Sequence, residues 1–266
     1  MSQFTFLNNK TVVVTGVSSS DQRFKNIGQA LVELLVENDA QVIAVSRDIK
    51  KCEKAVKHLT EQGLPVVVKQ CDISSHSDVE SLFKWVEETY GSLNYLINNA
   101  GTEGELEPID QLSIDNIDSV IDINGKGTLY CLKEGISLMK RSLSKNNKMD
   151  CSIINVGSIA AEIGMPNTSV YAYSKAGIAS ITRVVTIELN AYALETDTAP
   201  IRVNAVLPGV IRTPMHGRFL DDNGLDGIPP EQSTSPEELA KCILTRLNEK
   251  FLMGSVSIID GGYTAQ

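Results

Sequence analysis

The sequence predicts an α/β fold: a single domain over residues 1–266 built on one doubly wound, seven-stranded parallel sheet flanked by helices. Three observations carry that reading. Short β-branched runs alternate with longer stretches of helical spacing, which implies right-handed βαβ crossovers. Two of the runs, Val12–Val14 and Val66–Val68, are apolar without interruption, as strands covered on both faces are. At 266 residues the chain buries a large core without disulfide or metal staples.

The elements follow in order. Thr11 to Thr15 is the first strand. Ile27 to Asn38 is a helix, because Ile27, Ala30, Leu31, Leu34 and Leu35 recur on one face. Gln41 to Ser46 is the second strand, and Asp48 to Gln62 a helix with an aspartate at its start. Pro65 to Gln70 is a strand, followed by a helix from Ser77 to Tyr90 that Gly91 ends. Leu93 to Ile97 is a strand and Asp115 to Ser144 one long helix, bent or straight. The strand Ser152–Val156, the helix from Val170 to about Leu194 and the strand Ile201–Val206 come next. The helix Pro236–Glu249 and the strand Ser255–Ile259 close the pattern. Ser142 to Asp150 reads as a polar surface loop, and Pro214 to Ser235 as a long irregular segment.

Composition narrows the function. Hydrophobic residues at 42% and charged residues at 21% describe a soluble globular protein. A net charge of −9 repels phosphate backbones and anionic lipid, so neither nucleic acid nor membrane is an expected partner. No apolar run approaches the roughly 18 residues of a membrane span, and the first residues do not read as a signal peptide. The five cysteines form no C-x-x-C pair, which fits reduced thiols and a cytoplasmic location. His58, His76 and His216 are scattered, so no metal site is expected.

In such folds ligands sit beyond the carboxyl ends of the strands. The first strand runs into Thr15-Gly16, and Ile27-Gly28 opens the next helix. A glycine permits a tight turn there, and a helix N-terminus offers unpaired N–H groups to a pyrophosphate. Farther along stand Asn98-Asn99-Ala100-Gly101, Ser158, Tyr171-Ala-Tyr-Ser-Lys175 and Pro208-Gly209. Together, in this order and spanning Thr11 to Gly262, these segments resemble the short-chain dehydrogenase/reductase family, in its carbonyl-reductase-like branch. The resemblance implies a Rossmann-type fold that binds a nicotinamide dinucleotide.

One departure stands out. The family's loop is similar to T-G-x-x-x-G-x-G, with six positions from first to last glycine. Here Gly16 and Gly28 are 12 apart, and Asn26 takes the middle glycine's place. Asn tolerates left-handed backbone better than most residues, which would preserve the turn.

The resemblance implies cofactor contacts from Gly16, Ser18, Asn26, Ile27 and Gly28, and from Asp72 and Ile73 after the third strand. Asn99, Ala100 and Gly101 would admit the adenosine ribose, while Asn98 supports the sheet. Pro208, Gly209, Ile211 and Thr213 would hold the nicotinamide amide. The second strand ends in Ser46-Arg47, where an acidic residue would grip the ribose of NAD and an Arg accommodates the 2′-phosphate of NADP. Lys25 precedes the middle-glycine position, where NADP-dependent members often carry a basic residue. Arg47 and Lys25 therefore favour NADP (NADPH), with NAD as the alternative that Asp48 keeps open.

Tyr171 and Lys175 are four apart on a predicted helix and share a face, whereas Tyr173 lies on another. A free tyrosine has a pKa of about 10, so acting near pH 7 asks about 4 kcal/mol of its surroundings. A neighbouring ammonium and an oxidised nicotinamide would move it downward. By resemblance Tyr171 is the general acid/base, Ser158 polarises the substrate carbonyl, and Lys175 holds the nicotinamide ribose and lowers the tyrosine pKa. Asn124 would hold a water that links Lys175 to solvent.

Pro214 to Ser235 would form a substrate lid, since unstructured loops of this length are usually functional. Met215, Phe219 and Leu220 could face an apolar substrate, while His216, Arg218, Asp221 and Asp222 are equally placed for solvent. The expected partner is a small-molecule carbonyl or alcohol. The expected assembly is a homo-oligomer, a tetramer or else a dimer, through the two long helices and the last strand. Two alternatives stay open: an enoyl reductase of the same fold, although Thr168 and not a tyrosine stands seven residues before Lys175, and a non-catalytic dinucleotide sensor.

Overall fold

The computed structural model describes residues 4–19, 24–215, 220–221, 224–225 and 232–265. Seven strands form one parallel sheet: β1 (Thr11–Thr15), β2 (Gln41–Ser46), β3 (Val66–Gln70), β4 (Tyr95–Asn98), β5 (Cys151–Val156), β6 (Ile201–Pro208) and β11 (Val256–Ile259). Their order across the sheet is β11-β6-β5-β4-β1-β2-β3. The chain reverses its direction of winding between β1 and β4, and that switch leaves a crevice at the strands' carboxyl ends.

The period-2 alternation of side chains builds two cores from one sheet. Val12 and Val14 of β1 face a core closed by α1 (Ile27–Val36), α2 (Ile49–Glu61) and α7 (Pro236–Asn248), with Leu31, Val56 and Ile243 buried there. Val13, between them, faces the opposite core, where Phe83, Leu138 and Leu189 come from α3 (His76–Tyr90), α5 (Gly127–Lys145) and α6 (Ser169–Thr196). Each such side chain contributes roughly 1.5–3 kcal/mol by leaving water.

Local signals set the helix ends. Asn26, Asp48, Ser75, Ser113 and Ser235 each accept a backbone N–H from the residue three positions on. Pro236 occupies the first turn of α7, and Gly91 ends α3 with a left-handed φ of 73°.

Three boundaries differ from the sequence reading. The expected helix from Asp115 to Ser144 is three pieces: α4 (Ile114–Val120), a π-helical segment (Ile121–Lys126) and α5. The wide turn brings Asn124 inward, and a hydrophobic period cannot announce it. β6 runs on to Pro208, because Ile259 of β11 pairs with it. The segment Pro214 to Ser235 carries short strands of its own. β8 (Leu220–Asp221) and β9 (Gly224–Leu225) form an antiparallel pair, and β10 (Ser233–Thr234) pairs with β7 (Val210–Ile211). No helix among the described residues is long and apolar enough to cross a membrane.

Candidate active site

A cavity of about 670 Å³ opens at the carboxyl ends of the strands. At its β1 end Gly16 turns with φ 75°, and a Cβ there would lie 2.6 Å from Ala100 Cα. A Cβ on Gly28 would lie 2.5 Å from Gly16 O. The two glycines therefore pack against each other, and no side chain fits at either. Asn99 Nδ2 donates to Thr15 O at 2.9 Å and ties this corner to β4. Thr15 Oγ1 in turn accepts from the N–H groups of Asn99 and Ala100, each at 3.1 Å.

The lengthened loop is anchored at both ends. Val17 N donates to Val45 O, and Ser19 N to Lys51 O, both at 3.0 Å. Asn26 does not take the left-handed conformation that its place suggested. Its φ is −89°, and it caps α1 by accepting from Gln29 N at 2.7 Å while donating to Ser18 Oγ at 2.9 Å. A cap satisfies orphan helix donors, which is a different service from that of a turn glycine. Residues 20–23 lie outside the described residues.

Lys25 is placed differently from the sequence expectation. Its Nζ stands 2.6 Å from Glu33 Oε2 and 3.4 Å from Glu237 Oε1, and it does not line the cavity. Partial burial alone would lower its pKa; the two carboxylates outweigh that and raise it. Ser18, Asn26, Ile27, Ser46 and Arg47 do line the cavity, as do Asp72 and Ile73. Asp48 lines it too, with its side chain capping α2 through Lys51 N at 3.1 Å. Asp72 accepts from Ser74 N at 3.0 Å and Ser74 Oγ at 2.7 Å, the turn geometry of an aspartate after a strand.

The other end holds the titrating groups. Ser158, Tyr171 and Lys175 line it. Tyr171 and Lys175 lie on the first two turns of α6, four residues apart, with Lys175 Nζ 5.7 Å from the Tyr171 ring centre. Tyr173 is 70% exposed, so its face points away. Lys175 is buried, and its Nζ donates to Val156 O at 3.1 Å. Burial lowers its pKa to about 8. A Cβ on Gly101 would come within 3.1 Å of that Nζ, so Gly101 leaves room for the ammonium.

Tyr171 departs from the expected direction. Burial pushes its pKa above the ordinary value, the hydrogen bond with Ser158 works downward, and the negative charge of Glu103 adds to the rise. The desolvation of a phenolate outweighs the help that its neighbours give. Ser158 Oγ also accepts from Ala160 N at 3.2 Å, which fixes its rotamer.

Asn124 is fully buried behind the cavity wall and does not line it. Its Oδ1 accepts from Thr102 N, and its Nδ2 donates to Thr102 O, both at 2.8 Å; Nδ2 also donates to Ser174 Oγ at 2.9 Å. The side chain thus holds the backbone after Gly101 against α6, beside Lys175. Asn98 Nδ2 donates to Asn155 Oδ1 at 2.9 Å, a bond across the sheet.

Asn99, Ala100 and Gly101 line the cavity, and Pro208, Gly209, Ile211, Thr213 and Met215 close its β6 side. His216, Arg218, Phe219 and Asp222 lie outside the described residues. The sequence assigns no cavity role to Lys51, Cys71, Glu103, Leu106, Met165 and Thr168, all of which line the cavity. A signal existed for some. Glu103 and Leu106 lie two and five residues after Gly101, and Met165 and Thr168 fall between Ser158 and Tyr171. Among the described residues no three His, Cys, Asp or Glu side chains gather as a metal site.

Comparison with known proteins agrees with this geometry. A family model described as short chain dehydrogenase matches residues 10–224. The chain is 32% identical to 2,5-dichloro-2,5-cyclohexadiene-1,4-diol dehydrogenase of Sphingobium indicum, over 97% of this chain and 98% of that one. It is 31% identical to carbonyl reductase family member 4 of Xenopus laevis, over 90% and 93% of the two chains. Among solved structures, ElxO with NADP bound superposes with a TM-score of 0.80 at 27% identity, over 97% of this chain and 100% of that one. The chain belongs to the short-chain dehydrogenase/reductase family of oxidoreductases.

Proposed function

We propose that this chain is an NADP(H)-dependent oxidoreductase acting on a carbonyl or secondary alcohol, with Tyr171 as general acid/base. The observation that carries the reading is one cavity holding Ser158, Tyr171 and Lys175, with Tyr171 and Lys175 one turn apart on α6. The residues present fit a dinucleotide. Gly16 and Gly28 leave backbone bare at the turn, and the α1 N-terminus can receive a pyrophosphate. Arg47 suits a 2′-phosphate, and Asp48, engaged as a helix cap, is a poor partner for ribose hydroxyls. The NADP-bound relative supports the same choice, with NAD as the alternative.

The nicotinamide, when bound, supplies or accepts the hydride. Tyr171 gives its proton to the carbonyl oxygen in reduction and takes it back in oxidation. Ser158 donates a hydrogen bond to that oxygen. Lys175, at a pKa of about 8, is mostly protonated at pH 7, and its charge opposes the upward push on Tyr171. Asn124 acts as a positioning residue through Thr102. Pro208, Gly209, Ile211 and Thr213 would hold the nicotinamide amide, and Met215 would face the substrate.

We expect residues 1–266 to act as one domain, in the cytoplasm, as a homotetramer or else a dimer. Leu129 of α5, Val184 and Ile187 of α6 and Ile258 of β11 are all exposed, which supports assembly through those elements. Light scattering at micromolar concentration tests this, and a monomer refutes it. For the chemistry, Tyr171→Phe should keep cofactor binding and lose roughly 10²–10⁴-fold in turnover of a ketone. Wild-type turnover would refute the mechanism.

A further inference from the structure

We infer that Lys51, not Lys25, is the second cation that selects a 2′-phosphorylated cofactor, and that it works partly by masking Asp48. The inference rests on the NADP(H) reading above and assigns that choice to particular residues. A chain of net charge −9 must gather local positive charge to hold a polyanion. Among the described residues that line the cavity, the cations are Arg47, Lys51 and Lys175. Lys175 is buried at the Tyr171 end and committed to Val156 O. Lys25 is outside the cavity and committed to Glu33 and Glu237. That leaves Arg47 and Lys51 at the β2 end.

Lys51 stands on the first turn of α2, four residues after Arg47. Asp48 lies between them and lines the same wall. A free carboxylate there would repel a 2′-phosphate and accept from ribose hydroxyls, the preference of an NAD enzyme. Asp48 is not free. Its Oδ1 accepts from Lys51 N at 3.1 Å, and its Oδ2 lies 3.7 Å from Lys51 Nζ. Lys51 therefore supplies a charge of its own and offsets part of the charge that would oppose the phosphate. Specificity is a difference of two affinities, and one residue here bears on both. The lengthened loop reaches the same place, since Ser19 N donates to Lys51 O.

The experiment measures dissociation constants for NADPH, NADH, 2′,5′-ADP and 5′-AMP by calorimetry at fixed ionic strength. The proteins are wild type, Lys51→Gln, Lys25→Gln and the double variant Asp48→Asn/Lys51→Gln. The Lys51 side chain is 55% exposed, so these proteins should fold, and thermal melting checks that they do. We expect Lys51→Gln to cut the NADPH-over-NADH ratio about tenfold or more, the effect of one charge-assisted contact. The loss should have two parts, weaker NADPH and tighter NADH, and 2′,5′-ADP against 5′-AMP should repeat it without the nicotinamide. Adding Asp48→Asn should restore part of the ratio, and Lys25→Gln should leave it within about twofold, because that charge lies outside the cavity and is paired with Glu33. A wild type that prefers NADPH while Lys51→Gln keeps its ratio would overturn the Lys51 assignment alone. Collapse of the ratio in Lys25→Gln would overturn it in favour of Lys25. A wild type that prefers NADH, or binds neither dinucleotide, would overturn the cofactor reading and this inference together.

Discussion

Asp150→Asn tests whether the ion cluster around the buried Arg202 carries a large share of the stability. Asp150 sits just before β5, at the end of the sheet away from the cavity. Its Oδ2 accepts from Tyr95 Oη at 2.5 Å and from Lys250 Nζ at 2.5 Å, and its Oδ1 from Arg202 Nη2 at 3.0 Å. The Arg202 side chain is only 3% exposed, and its other terminal nitrogen donates to Glu249 O at 2.8 Å. An asparagine keeps the shape and removes the charge. It strands a guanidinium in a place that water hardly reaches. Removing one partner of a buried pair costs about 3–5 kcal/mol. In a domain of this size that lowers Tm by about 10 °C.

The same cluster fixes the sign of a pH dependence. Burial alone would raise the Asp150 pKa, and Lys250, Tyr95 and Arg202 outweigh it and hold the pKa below the ordinary carboxylate value. A carboxylate with a depressed folded pKa stabilises fully above its unfolded pKa of about 3.9 and loses that contribution as pH falls through the folded value. Urea denaturation at pH 7 and across the acid range reads both effects. The variant should be less stable at pH 7, and its acid limb should be shallower than the wild type's. A loss under about 1 kcal/mol at pH 7, with an unchanged acid limb, would refute the reasoning.

Other outcomes follow from the cavity. Gly28→Ala places a Cβ 2.5 Å from Gly16 O, so it should weaken dinucleotide binding tenfold or more by calorimetry while the far-UV spectrum stays native. Asn26→Ala removes the α1 cap and should cost about 1 kcal/mol of stability in urea. Lys175 has a folded pKa of about 8, below the ordinary lysine value of 10.5, so wild-type stability should rise between those pH values as the folded state sheds its proton first. Lys175→Met should flatten that rise in urea denaturation repeated at several pH values.

The cavity's outline was legible in the sequence, because strand ends and glycines are local signals. Val12–Val14 announced a doubly covered strand and Gly16 a tight turn at its end, while Ser158, Tyr171 and Lys175 were brought together by the family resemblance, since their spacing alone is a common pattern. Electrostatic pairing across elements was not legible. Lys25 looked like a phosphate ligand because it precedes the middle-glycine position of the family's loop; its partners Glu33 and Glu237 are 8 and 212 positions away. Asn26 looked like a stand-in for glycine because position alone cannot tell a cap from a turn. The upward push of burial on Tyr171 was not legible for a related reason. Spacing reveals a neighbouring ammonium but not how much water the fold removes.

The contact between Gly16 and Gly28 has a consequence for how this chain tolerates change. The two residues touch, so the twelve-step path between them is a closed excursion with a fixed mouth. The entropy of closing such an excursion grows only with the logarithm of its length, and a doubling costs about 0.6 kcal/mol. The path can lengthen or shorten while the bare backbone at its mouth stays where it is. Insertions here are a cheap place for descendants of this sequence to experiment.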